Sequence, residues 1–419
     1  MGQYNRLPDC RIAGKMQIFS ACGIIHLRYS PLSVFLCLLP LTYCDPFPLA
    51  SYAFPTSASA GRRYPEPPHP YRGAFQRDRD RIIHCAAFRR LSEKMQVFTA
   101  EFGNYHRTRL THTMEVVCVA RTLGRALQLN EDLIEAAALL HDIGHSPFGH
   151  AGEAVLDRLL RENGADAGGF EHNAQALRIV EKLERRYTGF PGLNLSKEIL
   201  EGQAYKVTKM TPPLLEIQTA DIADSIAYDT HDVDDAMEVG LLTTEQLVRT
   251  SLWKRSAHRV RQQWTNLSDT EFRRAVVHDL IETQVSDVLH ATTQRLGAIN
   301  RAEGVSPPVN FPINSPVCPP VCLMIAPSAE IAEQKREMEQ FLLEHVYRHP
   351  NVMVFRRRVA DWLETIFNHY VLHPESLPER YGTVIQQEGA RRAAVDYVAD
   401  QTDRSIRAEL LKLFPRRVG

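Results

Sequence analysis

Apolar residues recur at three- and four-residue steps through most of this chain, the spacing that gathers them on one side of an α-helix. Across 75–91, charge alternates from Arg77 to Asp78, Arg79, Asp80 and Arg81 before Ile82, Ile83, Ala86, Ala87 and Leu91, which predicts a helix with one apolar face. Over 111–128 the apolar positions are Val116, Val119, Ala120, Leu123 and Leu127, and His112 falls one turn before Val116 on the same inward side. Asn130 followed by Glu131 and Asp132 reads as a helix start, with a capping side chain and acids at the positive end of the helix dipole. That helix passes through Ile134, Ala137 and Leu140 and ends near Gly144, so His141 and Asp142 occupy its last turn. The same periodicity predicts helices at 151–162, 171–187, 214–238, 271–297, 329–347, 352–371 and 388–412. No segment carries a strand period and no repeat is visible. The architecture expected is all-α.

The 419 residues are long for one domain. The expected division is an unassigned extension over 1–55, a catalytic core with an N-terminal arm over 56–245, and a C-terminal helical region over 246–419. Residues 56–73 are rich in Pro, Ser, Arg and Gly and read as the extended arm, while the Pro-rich, period-free stretch 304–327 reads as a long loop. An apolar content of 44% and a charged content of 24% are those of an ordinary globular protein. A formal net charge of −1 excludes a globally basic nucleic-acid binder. Eight cysteines without framework spacing point to a reducing compartment, and a cytoplasmic location is expected. Cys318 and Cys322 lack a second pair and read as loop residues rather than a zinc site. In the first fifty residues, Arg28 and Pro31 interrupt the apolar run, which falls short of the roughly 20 residues a membrane span needs. An extension, or a start assigned too far upstream, is the expectation there, with no membrane contact.

Chemistry concentrates in two short stretches. One holds Arg109 and His112. The other packs His141, Asp142, His145, His150 and Glu153 into thirteen residues. Imidazole and carboxylate are ligands that divalent ions accept. On the predicted helix over 214–238, Asp221 and Asp224 share a face with Ile217 and Tyr228, where apolar residues are expected. A buried carboxylate is costly unless paired or metal-bound. Taken singly, His112 reads as a hydrogen-bonded core histidine and Asp221 as a solvated or capping acid. Taken together, His112, His141, Asp142 and Asp221 come from three helices and would nearly neutralise a divalent ion. His172, at a helix start, reads equally as a cap or a phosphate contact.

These residues resemble the HD superfamily of metal-dependent phosphohydrolases and, within it, the deoxyguanosine triphosphate triphosphohydrolase-like family. The resemblance extends to Phe75–Ile83, Phe88–Leu91, Gln96–Phe98, Arg107–His112, His141–Glu153, Phe170–His172 and Ala220–Asp232, and then to Tyr347–Pro350, Asp396 with Tyr397, and Thr402–Arg404. It covers about 64–414. It implies an HD-domain helical fold with additional C-terminal helices, and hydrolysis of a deoxynucleoside triphosphate to deoxynucleoside and inorganic tripolyphosphate. By the same resemblance His112, His141, Asp142 and Asp221 would hold a divalent ion, manganese, magnesium or another transition metal. Arg109 and His172 would contact phosphates with His145 beside them. His150 would protonate the leaving oxygen with Glu153 orienting it, Gln96 would meet the sugar, and Tyr228 and Asp229 would line its pocket. A homo-oligomer is also implied. The chain departs from the family at 1–49, at 305–327, at Ser146 in place of a frequent Pro, and at Asn104 in place of part of a Gly-Asp pair.

Two other readings stay open at this level. One is a phosphomonoesterase or phosphodiesterase on the same scaffold. The other is a nucleotide-responsive regulator, in which the arginines of 72–90 and Arg356, Arg357 and Arg358 hold nucleotide effectors or single-stranded nucleic acid.

Overall fold

The amphipathic stretches fold as helices, and their apolar stripes meet in three clusters. The computed structural model describes residues 48–98, 107–162, 168–209, 213–303 and 323–415. Asn104, Cys318, Cys322, the extension as far as 47 and most of the Pro-rich stretch lie outside them. Among the described residues there is no β-strand, only the isolated bridges Arg62 to Ser196 and Met95 to Thr108. No described helix is long and apolar enough to cross a membrane.

The first cluster is built by α1 (Ala74–Ile83), α2 (Ala86–Arg90), α3 (Arg109–Ala126) and α4 (Glu131–Leu140). With them pack α6 (His172–Arg178), α7 (Lys197–Thr208) and α8 (Leu215–Glu238), whereas α5 (Gly149–Arg161) turns its apolar face to another cluster, shared with the C-terminal helices. Val116, Ala120 and Leu123 of α3 are buried against Leu133 and Ile134 of α4 and Ile226 of α8, as the three- and four-residue spacing requires. Thr108 caps α3 reciprocally with Thr111, and Asn130 caps α4 by accepting from the Leu133 amide.

The remaining helices are α9 (Thr244–Leu247), α10 (Ser251–Gln263), α11 (Asp269–Glu303), α12 (Ala329–Leu342), α13 (Pro350–Leu372), α14 (Gly382–Glu388), α15 (Ala390–Ala399) and α16 (Asp403–Leu413). Trp253, Val276 and Leu342 centre one further cluster, and Leu156, Leu363, Phe367, Val395 and Ile406 another. Several expected helices divide or end differently. The stretch 75–91 breaks at His84 and Cys85 into α1 and α2, with Cys85 capping the second start, and 329–347 runs into a π turn at Leu343–Tyr347. The segment 171–187 is a short α-helix running into a π turn at Ile179–Leu183. The segment 388–412 is two helices, because Thr402 caps a new start at Asp403. The helices α7 and α10 were not expected from the pattern.

The arm is held by buried carboxylates. Glu216 on α8 accepts from the amides of Phe54 (2.8 Å) and Asn130 (3.3 Å), Glu198 accepts from the Ala60 amide, and Asp78 pairs with Arg62. Burial pushes the Glu216 carboxyl up to about 7, above its ordinary 4.5. The folded state therefore holds this proton more tightly than the unfolded chain, and stability contributed at low pH is lost as pH rises from 4.5 through about 7. Glu216→Gln keeps an acceptor for both amides without the charge. Denaturant melts across this pH range are expected to show the wild type losing stability relative to Glu216→Gln as pH rises.

Candidate metal and phosphate site

Two helix ends and the middle of a third helix place the site. Thr108 starts α3 so that Arg109 lies at its first position and His112 one turn in, both buried. Helix α4 stops at Leu140, and His141 and Asp142 follow in a turn, also buried. Helix α8 crosses both and offers Asp221, Asp224 and Tyr228 along its partly open face.

His112, His141 and Asp224 form one cluster, with one ligand atom from each lying within 4.8 Å of the others. His112 Nε2 is 3.1 Å and His141 Nε2 3.5 Å from Asp224 Oδ1. Asp142 Oδ1 lies 3.6 Å from His141 Nε2. His141 Nδ1 donates to the Ala138 carbonyl at 2.6 Å, which leaves Nε2 as a lone-pair donor, and that buried atom has no hydrogen-bond partner. An orphaned imidazole nitrogen beside a second imidazole and a carboxylate fits a divalent cation. Burial alone would raise the Asp224 carboxyl, but His141 and His112 outweigh it and hold it well below the usual carboxylate range.

The acid expected in this cluster was Asp221, and the geometry assigns the place to Asp224. Asp221 Oδ1 instead pairs with Lys206 Nζ of α7 at 2.7 Å. Positions three apart on a helix differ by about 60° in direction and about 4.5 Å in height. Both acids therefore sit on the same open face, and only the tertiary packing chooses between them.

Asp142 is the electrostatic centre of the site. Arg109 donates to both its oxygens at 3.0 Å, and His145 Nε2 is 3.0 Å from Oδ1. Burial would raise this carboxyl, yet Arg109, His141 and His145 together hold it well below its ordinary value. Arg109, expected at phosphate, thus spends this part of its fork on Asp142. Gly149 has φ +57°, and a Cβ there would lie 2.7 Å from the Arg109 guanidinium, so the start of α5 needs glycine.

A second group lies alongside. Glu153 accepts from the His172 amide (3.0 Å), and its oxygens lie 3.0 Å from His172 Nδ1 and 3.3 Å from His150 Nδ1. His145 stacks on His172 at 4.0 Å between centroids. Burial would raise Glu153, but His150 and His172 overcome it and drive the carboxyl far down. His150 is 60% exposed, the open member of an otherwise enclosed group. Thus His145, His150, Glu153 and His172 come together in one group.

The sugar-pocket expectations fare differently. Gln96 is buried near the start of α5, with its Oε1 unpaired. Tyr228 is partly open and faces Tyr347, with ring centroids 6.4 Å apart. Asp229 is 1% exposed and forms an ion pair with Lys335 of α12.

Sequence reasoning missed a latch from the C-terminal helices. Asp403, the first residue of α16, accepts from the amides of Phe148 (2.8 Å) and Met95 (3.0 Å). Lys94 Nζ donates to the carbonyls of His145 (2.6 Å) and Ala399 (2.9 Å), and burial pushes its pKa down to about 7. The Thr402–Arg404 block was visible as a motif, but nothing local says which amides it reaches.

The HD domain family profile matches residues 109–229, and the phosphohydrolase-associated domain profile matches 325–411. A protein from Geobacter sulfurreducens named deoxyguanosinetriphosphate triphosphohydrolase-like protein is 41% identical over 379 residues, covering 87% of this chain and 95% of its own. A protein of the same name from Bordetella parapertussis is 39% identical over 385 residues, covering 87% and 96%. A solved structure of a hypothetical protein from Aquifex aeolicus aligns with 72% of this chain and 79% of its own, at 16% identity and a TM-score of 0.31, too low to carry a structural argument.

Bound manganese, measured on purified protein after equilibration with Mn²⁺ and desalting, distinguishes the two acids of α8. Asp224→Ala is expected to lose the ion, whereas Asp221→Ala retains close to the wild-type amount. The reverse pattern would return the ligand to Asp221.

Proposed function

Since the chain belongs to the deoxyguanosinetriphosphate triphosphohydrolase-like family of HD phosphohydrolases, we propose that it hydrolyses deoxynucleoside triphosphates to deoxynucleoside and inorganic tripolyphosphate. The observation that carries this reading is the adjacency of a cation-binding cluster and an exposed histidine tied to a buried carboxylate. His112, His141 and Asp224 hold the ion, with Asp142 as the fourth candidate ligand. Two imidazoles with carboxylates suit a divalent first-row metal, and manganese is the ion of first choice here. When bound, a divalent cation offsets the triphosphate charge and acidifies coordinated water.

The side chains account for the rest. His172, stacked on His145 at the open side, meets phosphate oxygens, and Lys206 adds positive charge beside the cluster. Arg109 fixes Asp142 from beneath and compensates charge there. Displacement at the α-phosphorus expels the nucleoside 5′ oxygen, a poor leaving group as alkoxide. His150 supplies the proton as the imidazolium: Glu153 accepts from its Nδ1–H and offsets its charge, and its Nε2–H passes to that oxygen, leaving the neutral ring. Attack at the terminal phosphorus would expel a diphosphate, which needs no such acid. Tyr228 borders the nucleoside end of the cleft. We place the activity in the cytoplasm, in a homo-oligomer, with room for nucleotide effectors.

The test is product analysis. Purified protein with Mn²⁺ is incubated with each deoxynucleoside triphosphate, singly and in mixtures. Deoxynucleoside and tripolyphosphate in equal amounts are expected. His150→Ala is expected to keep its metal and to lose about 10²–10⁴-fold in kcat. Release of orthophosphate or pyrophosphate would favour a phosphomonoesterase or phosphodiesterase instead, and full turnover by His150→Ala would remove the acid from the scheme.

A further inference from the structure

We propose that His231 is a positioning residue that, through a hydrogen-bonded relay ending at Glu115, fixes the ring of His112 with Nε2 directed at the cation cluster. This inference rests on the metal-centre reading above. His231 is on α8, seven residues and two turns beyond Asp224, and Glu115 is on α3, one turn beyond His112. The relay therefore runs on the same two helices that carry His112 and Asp224. His112 Nδ1 lies 3.0 Å from His231 Nδ1, with the rings nearly perpendicular at 84°. His231 Nε2 lies 2.8 Å from Glu115 Oε2. The Arg107 side chain donates to that same carboxylate oxygen at 2.9 Å, donates to the His231 carbonyl at 3.3 Å, and pairs with Asp235.

Counting protons fixes the direction of this chain. An ionised carboxylate only accepts, so His231 carries its proton on Nε2. The neutral ring then presents a lone pair at Nδ1, and His112 must donate from its own Nδ1. The remaining lone pair of His112 is on Nε2, the atom 3.1 Å from Asp224. Reversing both tautomers would set the Nε2 lone pair of His231 against the Glu115 carboxylate at 2.8 Å, and reversing His231 alone would also set two N–H groups against each other at 3.0 Å. His141 reaches the same state by a simpler route, since its Nδ1 donates to a backbone carbonyl. The two histidines of the cluster are thus oriented alike, one by main chain and one by side chains. Only the second can be altered by substitution. The relay runs from Glu115, 47% exposed, to His231, 4% exposed. Partners of this kind raise ligand basicity and hold ring orientation, and their loss typically weakens metal binding 10–100-fold.

The test is calorimetric titration of the full chain with Mn²⁺, independent of turnover. Wild type, His231→Leu, His231→Asn and Glu115→Ala are compared. His231→Leu is expected to weaken binding by about 10–100-fold. Asparagine places an acceptor oxygen where Nδ1 stood, so His231→Asn should recover most of the loss, which a packing role would not explain. Glu115→Ala, altered at the half-exposed end, should weaken binding in the same direction and carries the test if His231→Leu fails to fold. Wild-type affinity in His231→Leu or in Glu115→Ala, or His231→Asn as weak as His231→Leu, would overturn the relay while leaving the metal centre intact. A wild-type protein that binds no Mn²⁺ would overturn the metal centre and the relay with it.

Discussion

A carboxylate withdrawn from water must be met by positive charge or by donors, and at Asp142 that requirement organises the HD domain of this protein. Arg109 reaches it from the first turn of α3, His141 adjoins it at the end of α4, and His145 closes on it from the following turn. Removing one partner of a buried pair typically costs about 3–5 kcal/mol, because the survivor is left charged and dry. The start of α3 and the end of α4 are therefore bound to one place. Helix α8 packs across both and brings Asp224 to the two imidazoles. The cation cluster is a consequence of that convergence.

The C-terminal helices hold the opposite side. Asp403 supplies the acceptor for the amide of Phe148, a residue with φ 61°, immediately before the helix that carries His150 and Glu153. Lys94 bridges the carbonyls of His145 and Ala399. On the other flank Lys335 grips Asp229 and Tyr347 bonds Asp232, which fixes the far end of α8 to α12 and the turn after it. The associated domain thus bonds directly to the loop between the cation cluster and His150. A strained, left-handed residue persists where its surroundings over-determine it, and here the Asp403 carboxylate is one of those surroundings.

Much of this was legible in the chain, for identifiable reasons. The three- and four-residue spacing around Val116 and Leu123 gave helix and inward face together, and Asn130 with its following acids marked a helix start that the structure keeps. His112, His141, Asp142, His145, His150 and Glu153 were conspicuous through density in sequence, because a helix end and one tight turn supply most of them. The choice between Asp221 and Asp224 was not legible, since both lie on one face and the decision belongs to Lys206, on a helix the periodicity did not reveal. The ion pair of Asp229 was hidden for a related reason: its partner Lys335 lies 106 residues away. His231 was visible within a motif, but its role depends on a ring of another helix. Local pattern fixes elements and faces, while pairings between distant elements stay hidden until the packing is known.

Crystals soaked in Mn²⁺ and measured at the manganese absorption edge give the most direct test of the central claim. A single strong anomalous peak is predicted among His112 Nε2, His141 Nε2 and the Asp224 carboxylate, beside Asp142. An ion bound instead at Asp221, or one found only away from the end of α4, would contradict the account.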